Sequence, residues 1–213
     1  RKINNHEHYD RLYRIHIRRS LIDGHNILEE PEAAKKCIGY LPEQPPLYFD
    51  MTVAEYLKFA AELKKVPKNE RETQIEQVME LTGITAMANR LIKNLSKGYK
   101  QRVGLAQAIL GYPEIIILDE PTVGLDPKQI IEIRELIRKL SEEHTIILSS
   151  HILSEVSAVC DYIMIINHGK LVASDTTENL MNHSLGSNTL ELTVKGEKQD
   201  VEKMLRDVEE IQK

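Results

Sequence analysis

From Met51 to Val66 the apolar residues Val53, Tyr56, Leu57, Phe59, Ala60 and Leu63 recur at the spacing of one helix face, and Thr52 stands where an N-cap is needed. The same period predicts a second helix over 70–81 and a third over 86–91. The run from Lys97 to Leu110 has the Ala, Leu, Gln and Arg content of a helix, behind an N-cap at Ser96. Asp126 as N-cap and Pro127 in the first turn open a further helix, whose buried face is Ile130, Ile131, Ile133, Leu136, Ile137 and Leu140. Another helix follows His151. The β-branched run Ile115 to Leu118, after Gly111 and Pro113, reads as the central strand of a parallel sheet covered on both faces, and Thr145 to Leu148 reads as a second buried strand. A short strand and turn are expected at Leu21-Ile22-Asp23-Gly24. Tyr162 to Ile166 and Lys170 to Ala173, joined by Asn167-His168-Gly169, read as a hairpin. The strand-like Thr189 to Val194 and helix-like Gln199 to Ile211 open an accessory subdomain over 176–213.

Composition narrows the class. A chain of 213 residues can bury a real core in one domain with an appendage. The net charge of −5 and pI near 5.9 give no electrostatic case for nucleic acid. Cys37 and Cys160 each stand beside apolar neighbours, which predicts buried thiols in a reducing cytosol rather than a disulfide. No apolar run approaches the roughly twenty residues that span a bilayer, and no signal peptide is visible. Membrane attachment would therefore come through a partner.

The chemistry concentrates between residues 95 and 127. A helix starting at Ser96 directs free N–H groups outward, Gly98 lets the backbone approach an anion, and the helix dipole favours negative charge there. Asp119 and Glu120 emerge at the carboxyl end of a predicted parallel strand, where open α/β sheets bind ligands. This order, Leu95-Ser96-Lys97-Gly98-Tyr99, then Ile115 to Glu120, then Gly124-Leu125-Asp126-Pro127, resembles the nucleotide-binding subunit of ABC transporters. The family's signature is Leu-Ser-Gly-Gly-Gln, so Lys97 and Tyr99 make this a variant in which Leu95, Ser96 and Gly98 stand.

The resemblance covers about residues 20–175 and implies an α/β P-loop NTPase fold of ABC type, a mostly parallel sheet with an inserted helical lobe about 50–96. It implies ATP and Mg2+ as ligands. Asp119 would hold the metal, largely through water, and Glu120 would orient and polarise the attacking water. Ser96 and Gly98 would bind the γ-phosphate held by a second nucleotide-binding subunit, with Asp126 in the D-loop of that dimer. His151, after the strand Thr145 to Leu148, resembles the switch histidine at the γ-phosphate, and Gln44 in Tyr40-Leu41-Pro42-Glu43-Gln44 resembles the Q-loop glutamine that ligates Mg2+. The implied function is ATP hydrolysis driving a multi-span permease, with the subunit peripheral on the inner face of the cell membrane. The signature and the tail after Gly169 look most like exporters whose permease is a separate polypeptide.

One expected element is missing. P-loop NTPases hold the β- and γ-phosphates in a Gly-rich loop ending in Gly-Lys-Ser/Thr, yet no Gly precedes Gly24, and the lone Gly-Lys pair, Gly169-Lys170, is followed by Leu in the late hairpin. Residues 1–19 show no family pattern. Back-translated and read one nucleotide later, Arg1 through Arg18 can become Gly-Lys-Ser-Thr-Thr-Met-Asn-Ile-Met-Thr-Gly-Tyr-Ile-Ala-Ser-Thr-Ser-Gly, the tail of a Walker A motif and its helix. The expectation is a single-nucleotide slip near Arg19 or Ser20, an out-of-frame segment 1–19, and a domain N-terminally incomplete. Two alternatives stay open: a non-catalytic partner that donates only its signature helix, and a soluble ABC protein of DNA repair or translation.

Overall fold

The computed structural model describes residues 20–184, in two units that divide after Asp161. The segment 1–19 and the runs 189–194 and 199–211 lie outside the described residues.

The first unit opens with a hairpin of β1 (Leu21–Ile22) and β2 (His25–Asn26). Its turn residues Asp23 and Gly24 have φ of 47° and 78°, the pair of positive values that a two-residue turn matched to strand twist requires. Next come α1 (Pro31–Lys36) and β3 (Ile38–Leu41), neither of which is anticipated in the sequence reading. A signal for α1 exists: proline opens it, Glu32 sits in its first turn and Lys35 and Lys36 in its last, as the helix dipole favours.

The helical lobe follows. Thr52 caps α2 (Val53–Leu63) in a reciprocal box with Glu55, as its position predicts. Then α3 (Arg71–Leu81) packs on α2 and on α4 (Lys97–Ile109). The helix expected over 86–91 is instead a short 3-10 turn at Thr85–Met87, a turn and bend over 88–90, and an isolated bridge from Leu91 to Thr52. The carbonyls of Ala88 and Arg90 accept from the N–H groups of Ala54 and Val53, which the first turn of α2 leaves unpaired. Those bonds hold the segment against α2, and Ile92 N donates to Met51 O. The lobe is tied to the end of α4 by Lys64, whose Nζ donates to Ala108 O and Leu110 O, both at 2.8 Å. Burial pushes the pKa of that ammonium down to about 8.

The sheet has the order β3-β4-β5, with β4 (Ile115–Asp119) in the centre and β5 (Thr145–Ser149) beside it, all parallel. The register pairs Tyr40 with Ile117 and Ile117 with Ile147, so these three share one face. The opposite face carries Leu41, Ile116 and Leu118, all buried in the main core with α4 and with α5 (Pro127–Ser141). The expectation that β4 is covered on both faces is therefore corrected: among the described residues Tyr40 and Ile147 are 48% and 52% exposed. Both crossovers, through α4 and then α5, step in the same direction along the sheet. Right-handed connections of that kind put their helices on one side.

Within the helices, two residues assigned to buried faces stand out in solvent, Leu63 and Ile131. Cys37 and Cys160 are half-buried rather than buried, and no disulfide joins them. The first unit closes with α6 (Leu153–Val159). In the second unit, β6 (Tyr162–Asn167) and β7 (Lys170–Thr176) form the expected hairpin, longer than anticipated, and α7 (Thr177–Ser184) follows. Its turn again uses two positive φ values, at His168 and Gly169.

Candidate functional site

The carboxyl end of β4 carries Asp119 as its last strand residue and Glu120 immediately beyond. Glu120 has φ of 46°, in the left-handed region that costs a non-glycine residue conformational energy. What holds it there is the end of β5. Glu120 N donates to Ser149 O at 3.0 Å, and the Glu120 carboxylate accepts from His151 N at 2.9 Å and from Ser150 Oγ at 3.3 Å. His151 Nδ1 lies 2.8 Å from the same Oε1. Next to it, Ser149 Oγ donates to Asp119 Oδ1 at 2.6 Å. The parallel pairing of Asp119 with Ser149 makes this cluster, because it aligns the two strand ends. Neither Ser149 nor Ser150 is singled out in the sequence reading, although their adjacency to His151 at a strand end was a usable signal.

The bond to Glu120 and its negative charge raise the pKa of His151, with smaller contributions in the same direction from Glu155 and Glu43. The imidazolium is favoured in the fold. Stabilisation from this pair is therefore complete below the ordinary histidine value of 6.5 and is lost as pH rises through the raised value. Glu120→Gln should bring the His151 titration, followed by NMR, back toward 6.5. An unmoved titration would show that the pair does not form.

A second group of expected residues lies at the start of α4 and α5. Ser96 Oγ caps α4 by accepting from Tyr99 N at 3.4 Å, and Asp126 caps α5 through Gln129 N at 2.9 Å. Gln129 joins the two helices. A Cβ on Gly98 would sit 2.7 Å from Gln129 Cδ, so any larger residue there would have to displace the Gln129 amide. The side chain of Lys97 crosses the α-carbon of Gly124, which also has positive φ. Lys97 thus covers the loop before Asp126, a contact that the sequence shows only as a departure from the signature.

Gln44 is exposed in the loop after β3, with no hydrogen bond to Asp119 or Glu120 among the described residues. Its neighbour Glu43 is close enough to act on the His151 charge. The structure therefore assembles Asp119, Glu120 and His151 in one cluster, and Ser96, Gly98 and Asp126 in another, with Gln44 on the loop near the first. Among the described residues no group of three or more His, Cys, Asp or Glu side chains is placed to hold a metal ion. Asp119 with Gln44 offers hard oxygen donors of the kind Mg2+ takes, since that ion keeps waters and phosphate oxygens alongside one or two carboxylates. No described helix is long and apolar enough to cross a membrane.

The chain is similar to known proteins. The family model described as ABC transporter matches residues 13–123, so the match begins inside the segment 1–19 in which the sequence shows no family motif. The bacitracin transport ATP-binding protein BcrA of Bacillus licheniformis is 40% identical over 153 residues, 71% of this chain and 49% of the relative. The linearmycin resistance ATP-binding protein LnrL of Bacillus subtilis is 35% identical over 176 residues, 82% of this chain and 57% of the relative. The chain thus spans about half the length of these curated relatives. Among solved structures, cbiO1 from Clostridium perfringens, part of the ABC transporter complex cbiONQ, superposes with a TM-score of 0.70 at 27% identity, covering 77% of this chain and 68% of that one.

Proposed function

The chain belongs to the ABC transporter family, and from that premise we propose that it is the ATP-binding subunit that couples ATP hydrolysis to a separate membrane permease. The observation that carries the hydrolytic part is the Glu120–His151 cluster at the end of β4, beside the Asp119 carboxylate that accepts from Ser149 Oγ. When bound, Mg2+ supplies charge neutralisation at the phosphates; Asp119 would hold it, with Gln44 from the adjoining loop. Glu120 orients and polarises the water that attacks the γ-phosphate. His151 fixes Glu120 in its left-handed turn and faces the same phosphate. Ser96 and the N–H groups that open α4 serve the nucleotide of a second subunit, with Asp126 at that dimer contact. Relatives named as ATP-binding proteins of bacitracin transport and of linearmycin resistance support a transporter's ATP-binding subunit; the export direction and the separate permease polypeptide are our reading of the signature and of the tail after Gly169. The subunit would sit at the inner face of the cell membrane through that partner.

These 213 residues contain no Gly-Lys-Ser/Thr loop, so we further propose that alone they bind Mg-ATP poorly, with residues 1–19 an out-of-frame segment. The test titrates Mg-ATP into this chain and into a form in which the shifted frame of residues 1–18 is read in its place. The expected result is binding and hydrolysis in the second form and clear loss of affinity in the first. Equal affinity would overturn the second proposal, and absence of hydrolysis in both would overturn the first. A role as a signature donor alone would show instead as activity regained when this chain is mixed with a signature-dead partner.

A further inference from the structure

Four residues beyond His151, Glu155 is only 8% exposed. A buried carboxylate needs donors or an opposite charge to stay ionised. It has both. Thr122 Oγ1 donates to Glu155 Oε2, and Arg134 Nη2 of α5 stands 4.0 Å from Glu155 Oε1. Arg134 Nε is buried and has no hydrogen-bond partner among the described residues, so the guanidinium is held at this spot by charge pairing more than by directed bonds. The cluster is closely packed: a cavity of only about 10 Å3 lies among Pro121, Thr122, Arg134, Leu148 and Glu155.

The consequence lies in what the bonded residues follow. Thr122 comes two residues after Glu120, in a turn closed by Val123 N to Glu120 O and Leu125 N to Thr122 O, both 3.2 Å. Glu155 belongs to α6, which begins two residues after His151. The hydroxyl of Thr122 therefore fastens the segment leaving Glu120 to the helix that follows His151. Glu120 and His151 meet directly, and their chain continuations meet again behind them.

Resting on the hydrolytic reading above, we propose that Glu155, with Thr122 as its donor and Arg134 as its counter-charge, is a positioning residue that sets the Glu120–His151 geometry. Thr122 and Glu155 touch neither nucleotide nor water in this role. They act through the turn and through α6, and the segment 124–127 adjoins the same anchor through Leu125 N, which donates to Thr122 O.

The test uses a substitution without charge change. Thr122→Val removes the donor at nearly constant volume, and Thr122→Ser restores it. In the 213-residue chain, residue-resolved amide exchange reads His151 N–H, which is bonded to Glu120 Oε1. The Val variant should exchange there about tenfold faster, and the Ser variant at the parent rate. In the ATP-hydrolysing form, the Val variant should lose about tenfold in kcat with KM unchanged, again recovered by Ser. Glu155→Gln keeps one oxygen for Thr122 and drops the charge, and should move both readouts in the same direction if the Val variant does not fold. Parent-like His151 exchange in the Val and Gln variants would overturn the proposal, as would a Ser variant impaired like Val. If no form hydrolyses ATP, the hydrolytic reading falls alone, and the exchange comparison still decides whether this anchor sets the geometry.

Discussion

Glu120→Gln, made in an ATP-hydrolysing form of this protein, should reduce turnover by about 10²- to 10⁴-fold while leaving Mg-ATP affinity close to the parent value. The amide keeps one oxygen, so it can still accept from His151 N–H, the bond now made at 2.9 Å. Backbone anchorage persists too, because Glu120 N to Ser149 O does not involve the side chain. The left-handed turn at residue 120 is thus retained. Only the negative charge that polarises water is lost, and Asp119, bonded separately to Ser149, is left to the metal. Steady-state kinetics and equilibrium nucleotide titration together check this: a fall in kcat at steady affinity is expected. Undiminished hydrolysis would remove Glu120 from its role, and loss of binding would show that Glu120, not Asp119, is the main support of the metal.

Much of this site could be read before the structure because each part is local. Thr52, Ser96 and Asp126 act as caps within four residues of themselves, and the apolar run 115–118 has one strand-like reading. Contacts made between elements were harder to see. The contact of Gly98 with Gln129, the crossing of Lys97 over Gly124 and the burial of Glu155 under Thr122 join residues 27 to 33 positions apart, with no periodicity to reveal them. The misread 86–91 segment has the same origin. Its helical pattern is real, but its carbonyls are claimed by the start of α2, and a tertiary bond outweighs a weak propensity. Sheet coverage failed for a topological reason: an apolar β-branched run announces burial without saying how many helices lie on each side.

The same close docking makes a strong prediction about stability. Gly39 lies in β3 beneath α4, and a Cβ added there would collide with the Ala108 carbonyl oxygen and stand 2.9 Å from Pro113 Cγ. Neither neighbour can rotate away, since one is helix backbone and the other a ring. Gly39→Ala should therefore cost about 3 kcal/mol, at the upper end of overpacking penalties, because relief requires α4 to move off the sheet. Gly24→Ala provides the contrast. Nothing lies within 4 Å of a Cβ at that turn, and only its positive φ of 78° opposes the change, at about 1 kcal/mol. Urea unfolding at unchanged m should separate the two variants clearly. Equal midpoints would show that α4 is not seated as closely as the structure places it. A movement of α4 would also carry Ser96, the cap that opens it, so the frame-restored Gly39→Ala protein should lose more hydrolysis than nucleotide binding if the signature end of that helix serves a partner's phosphate.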